Sequence, residues 1–112
     1  MKLLFITVLL SFFNISNSPE GIWIHKEEAS RIEIYEDKGK LSGKLISSRH
    51  PFLETGIDIL KDMEYKDGKW QGKIYIPKKK RWVNASFEQK NNLLFIELNL
   101  GYEIQKVHWY RG

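Results

Sequence analysis

The sequence predicts an all-β fold, a small antiparallel up-and-down barrel of about eight strands. Three observations carry this. From Gly21 onward, apolar residues alternate with polar ones at a period of two. Turn-forming residues recur at intervals of about ten positions. The gaps between successive apolar runs are short enough for hairpins, which join neighbouring antiparallel strands. Closing such a meander into a barrel removes its exposed edges.

The elements follow in order. Gly21-Ile22-Trp23 opens the first strand. Ile32 and Ile34 alternate with Arg31, Glu33 and Tyr35. Trp70, Gly72, Ile74 and Ile76 alternate with Gln71, Lys73 and Tyr75. Val83, Ala85 and Phe87 alternate with Trp82, Asn84 and Ser86, and Leu94, Ile96 and Leu98 with Phe95, Glu97 and Asn99. Glu36-Asp37-Lys38-Gly39, Lys66-Asp67-Gly68-Lys69 and Gln89-Lys90-Asn91-Asn92 have hairpin-turn chemistry. Pro77 ends a strand before Lys78-Lys79-Lys80, because proline cannot donate inside a ladder. Gly101 breaks the last pair. Ser47 to Thr55 is the longest irregular connection, with room for a brief helical turn between Pro51 and Glu54.

The N-terminus stands apart. Met1 and Lys2 form a charged start, Leu3 to Phe13 is almost purely apolar, and Asn14 to Ser18 is small and polar. That order reads as a secretory signal peptide over residues 1–18, leaving a single barrel domain over 19–112. The apolar run is short of the roughly 20 residues that span a bilayer, so no stable membrane span is expected after cleavage. The expected location is exported, either periplasmic or secreted. Of the 18 basic residues only Lys2 lies in this segment, so 17 remain against 14 acidic ones. A mildly basic surplus of this kind is not a nucleic-acid footprint. With no cysteine in the chain, disulfides, thiol catalysis and thiolate metal sites are excluded. A domain without such staples must bury its aromatics, and 4 Trp, 5 Tyr and 6 Phe supply the means.

The chemistry-bearing residues are sparse. His25, His50 and His108 are too far apart in sequence to present paired ligands from one element, so neither metal nor cofactor is expected. There is no nucleophile elbow, phosphate loop or zinc-protease helix, and no enzyme is expected. Asp58 with Asp62, and Glu27 with Glu28, read as solvated acids at strand ends. Lys78-Lys79-Lys80-Arg81 reads as a solubilising turn, with an anionic head group or acidic polymer as its functional alternative. In a closed barrel the first and last strands adjoin. Gly21, Trp23 and Arg111 are then expected to close one end, guanidinium on indole face. Gly43 and Gly72, inside strand patterns, are expected to bend the barrel wall.

Several segments resemble, in order, the domain-of-unknown-function family twenty-one forty-seven, a group of small exported bacterial proteins. They are Gly21-Ile22-Trp23, Lys40-Leu41-Ser42-Gly43-Lys44-Leu45, Gly56-Ile57-Asp58-Ile59-Leu60, the run Trp70 to Pro77, and Trp109-Tyr110-Arg111. The resemblance implies a lipocalin-like barrel and an envelope or secreted location. It implies no activity. Family members often carry two cysteines before the segment matching Gly56, and this chain has none.

The function expected is the binding of one small apolar or amphipathic ligand, since an eight-stranded barrel can keep room for one. The alternative is an envelope interaction protein or inhibitor, its barrel filled by side chains, working through its basic loops. Large inward residues such as Trp23, Trp70 and Phe87 predict little free volume. Because aromatics line most pockets, Trp70, Tyr75, Trp82 and Trp109 are the ligand-contact candidates, expected together near a barrel mouth.

Overall fold

The computed structural model describes residues 18–49 and 53–112. The signal-peptide assignment therefore lies outside the described residues, Ser18 apart. His50, Pro51 and Phe52, with the first half of the proposed helical turn, lie outside them too.

Eight strands follow one another: β1 (Gly21–His25), β2 (Ser30–Asp37), β3 (Lys40–Ser47), β4 (Asp58–Lys66), β5 (Lys69–Ile76), β6 (Arg81–Lys90), β7 (Leu93–Asn99) and β8 (Ile104–Arg111). Each is antiparallel to the next, and β8 returns to pair with β1, so the sheet is a closed up-and-down barrel. A short 3-10 turn, Lys26–Glu28, links β1 to β2.

The local chemistry fits these turns. Lys38 and Gly39 have φ of 54° and 85°, and Asp67 and Gly68 have 52° and 81°. Two consecutive left-handed residues give the turn twist that matches a right-handed hairpin. These two turns and the β6–β7 turn lie at one end of the barrel, together with residues 18–20 and Arg111. The other end carries the 3-10 turn, the β3–β4 connection, the Pro77–Lys80 turn and the β7–β8 loop.

Alternation decides which side chains point inward. Val83, Ala85 and Phe87 of β6 are buried, as are Leu94, Ile96 and Leu98 of β7. β4 departs from the pattern. Asp62 has φ 55°, and the β4–β5 register shifts between Lys61 and Glu64. Such a bulge adds a residue to one strand, and Ile59, Leu60 and Met63 are all buried.

Gly43 and Gly72 are where these β4 side chains fit. A Cβ on Gly43 would stand 2.7 Å from Leu60 Cδ1, and one on Gly72 would stand 2.7 Å from Met63 Cγ and 2.9 Å from the Lys61 carbonyl oxygen. Both glycines are thus sites of close approach by a neighbouring strand.

Candidate functional site: a cavity at one end of the barrel

The two ends of the barrel are built differently. At the turn-rich end, Trp23 is fully buried and its indole Nε1 donates to the Pro19 carbonyl at 2.8 Å. The Arg111 guanidinium lies over the Trp23 ring, 4.0 Å from its centroid, and Nη1 donates to the Glu20 carbonyl at 3.0 Å. Gln89, with its amide turned to suit both neighbours, donates to the Ser18 carbonyl and accepts from Arg111 Nη2. Gly21 has φ +125°, and a Cβ there would stand 2.5 Å from Arg111 Nη1. Glycine is needed on both counts. Gly21, Trp23 and Arg111 thus meet as one cap.

Trp70 and Phe87 face each other across the β5–β6 register near the same end. The inward aromatics Trp23, Trp70 and Phe87 are therefore concentrated in the capped half. The expectation of little free volume fails for the other half, where the inward residues are mainly aliphatic. A cavity of about 300 Å³ opens there, its inner wall formed by Ile32, Leu45, Ile59, Ile74, Leu98 and Val107.

The rim is more polar. His25, Glu28, Ser30, Gln105, Lys78 and Lys79 border the cavity, with Tyr75, Ile76 and Pro77 beside them. Ser30 is 2% exposed, and its hydroxyl lies 2.7 Å from that of Ser48. His25 sits 3.7 Å from a Glu28 carboxylate oxygen and stacks at a tilt on Trp109, ring centroids 6.0 Å apart. The β1–β8 seam is also short. β1 pairs with β8 only at Trp23 opposite Arg111 and Ile24 opposite Tyr110. Beyond that seam β8 runs on to Ile104 with no β1 residue opposite it among the described residues.

The four candidate aromatics do not share this site. Trp109 is buried in the cavity wall and Tyr75 lies at its rim. Trp82 is opposite Tyr75 on the outer face, where the two rings meet edge-on at 5.5 Å and Lys61 Nζ lies 4.2 Å over the indole. Trp70 belongs to the capped half and packs edge-on against Tyr65. The indole N–H groups of Trp70 and Trp109 are buried and find no acceptor among the described residues.

Sequence reasoning missed the aliphatic wall. Ile32, Ile74 and Leu98 carry no chemical signal beyond apolarity, and only their common height along the barrel axis makes them a site. Among the described residues no group of three His, Cys, Asp or Glu side chains is placed to hold a metal ion. Asp58 instead accepts a hydrogen bond from the Tyr35 hydroxyl at 2.9 Å. Burial and nearby acids add to the effect of that bond, and the Tyr35 pKa is pushed up to about 12. Among the described residues no helix is long and apolar enough to cross a membrane.

No family model, no curated protein and no solved structure matches the chain.

Proposed function

We propose that this chain is an exported, non-enzymatic binding barrel that holds one small apolar or amphipathic molecule. The observation that carries the reading is the cavity of about 300 Å³, aliphatic within and polar at its rim, in a barrel capped at the opposite end. Ligand sites of this kind run from about 300 to 1,000 Å³, so the volume suits a single short-chain amphiphile better than a two-chain lipid. Its apolar part would lie against Ile32, Ile74 and Leu98, and its polar part would remain among Lys78, Lys79 and Gln105. The signal-peptide pattern of residues 1–18 supports an envelope or secreted setting. The rival reading, a filled barrel that meets an envelope protein through its basic loops, accounts less well for the open aliphatic chamber.

Native mass spectrometry tests the proposal. The full chain is produced in an exporting bacterial host, and the exported form is measured before and after mild organic extraction. A stoichiometric mass excess that extraction removes is the expected result, and it identifies the ligand class. A bare protein mass, unchanged by added fatty acids, would overturn the proposal.

A further inference from the structure

The open end carries a second feature that the cavity does not explain. The Pro77–Lys80 turn and the β7–β8 loop are tied together: Lys79 Nζ donates to the Tyr102 hydroxyl at 3.1 Å, and Arg81 Nη2 donates to the Leu100 carbonyl at 3.4 Å. Lys78, Lys79, Lys80 and Arg81 are all exposed. Beside them stand Tyr102, 71% exposed, and Ile104, 61% exposed, the two most exposed large apolar side chains among the described residues. At its start β8 inverts the barrel's pattern, with Gln105 bordering the cavity and Ile104 facing water. Four cations, a phenol and a branched aliphatic side chain therefore share one lip of the mouth.

We infer that this lip docks on an anionic lipid bilayer. Clustered cations are attracted to the negative potential of such a surface, and tyrosine and apolar side chains settle at the boundary between head groups and acyl chains. A polyanion without apolar groups would use the cations and leave Ile104 in water. A bilayer uses both. The acidic residues Glu27, Glu28 and Glu54 belong to the β1–β2 and β3–β4 connections, while Glu103 is the one acid on this lip among the described residues. Docking would bring the rim residues Lys78 and Lys79, and with them the cavity mouth, to the membrane. The inference goes beyond the ligand proposal and needs no occupied cavity.

Vesicle co-sedimentation of the exported protein tests it, with phosphatidylcholine alone and phosphatidylcholine mixed with phosphatidylglycerol. The expected result is partition onto the anionic vesicles, little onto the neutral ones, and weakening with added salt. K78Q/K80Q/R81Q is expected to lower partition by at least about tenfold. Y102S/I104S should lower it severalfold and remove the binding that survives in salt, while K90Q at the capped end leaves it unchanged. Circular dichroism and thermal unfolding establish that each variant is folded. A cavity-filling variant, L98F, should still bind vesicles, which separates this inference from the ligand proposal. Equal partition onto neutral and anionic vesicles, or none onto either, would overturn it, and both comparisons need only the unmodified protein. Retention on polyglutamate that Y102S/I104S does not disturb, with no vesicle binding, would assign the lip to an acidic polymer instead.

Discussion

Arg111 lies over Trp23 with its guanidinium carbon 4.0 Å from the ring centroid, and the two residues are also partners in the register that closes the barrel. One contact therefore does two tasks: it caps the aromatic half of the core and holds the last strand to the first. The flat guanidinium covers the indole while its N–H groups reach the Glu20 carbonyl and the Gln89 side-chain amide oxygen.

Replacing Arg111 by alanine is expected to lower stability by about 2 kcal/mol, the scale of a half-buried cation–π contact together with a lost charge-assisted hydrogen bond. Lysine should restore less than half, because an ammonium group cannot cover the ring and reach the Glu20 carbonyl as a plane does. Urea unfolding of the three proteins checks this, with a shifted midpoint and an unchanged slope as the signature.

Gly72 should tolerate alanine less well than Gly43. At Gly72 the added methyl group meets the Lys61 carbonyl oxygen and Met63 Cα, both backbone atoms, whereas at Gly43 it meets only the Leu60 side chain. Overpacking of this kind costs about 1–3 kcal/mol, against a gain of roughly 0.5–1 kcal/mol from a stiffer unfolded chain. G72A is expected to be clearly destabilised and G43A less so. Thermal unfolding of both gives the order, and equal midpoints would refute it.

Tyr35 ties stability to alkaline pH. Its hydroxyl donates to Asp58, which with burial and the Asp58, Asp37 and Glu33 charges raises its pKa from 10.0 to about 12. A pKa raised on folding favours the neutral form, so the contribution is complete below about pH 10 and is lost as pH rises through about 12. Ultraviolet titration should find Tyr35 ionising later than an ordinary tyrosine. D58A should return it towards 10.0. If the D58A titration curve overlies the original, the Asp58 bond is not the cause.

Phenylalanine at Leu98 or Val107 should fill part of the cavity. Affinity for a fluorescent fatty-acid probe is expected to fall by about tenfold or more as apolar contact is displaced. The unfolding midpoint should change little, because the added ring enters existing space. Unchanged probe affinity in both variants would place the probe elsewhere.

Much of the barrel was legible because period-two alternation is local. Ile74 and Val83 could be placed inside, and Tyr75 and Trp82 outside, without knowing any partner strand. The same alternation puts Trp82 on the outer face, and aromatic character alone does not make it part of an interior site. β4 was harder to read because the left-handed Asp62 interrupts its alternation. The cavity was hidden for a different reason. Alternation gives the face of the sheet and not the height along the barrel axis, which is fixed by register with strands far away in sequence. Trp23, Trp70 and Phe87 were correctly placed inward, and only the register reveals that they gather in one half.

That uneven filling sets how any occupant must move. With Trp23 and Arg111 stoppering the floor, the chamber is a blind pocket and not a pore, so arrival and departure share one doorway. Microscopic reversibility then divides the residues by their kinetic effect. A change that only raises or lowers the barrier at the doorway scales both rates by the same factor and leaves the equilibrium where it was. A change in the wall, at Ile32, Ile74 or Leu98, acts on the bound state alone and is felt chiefly in the residence time.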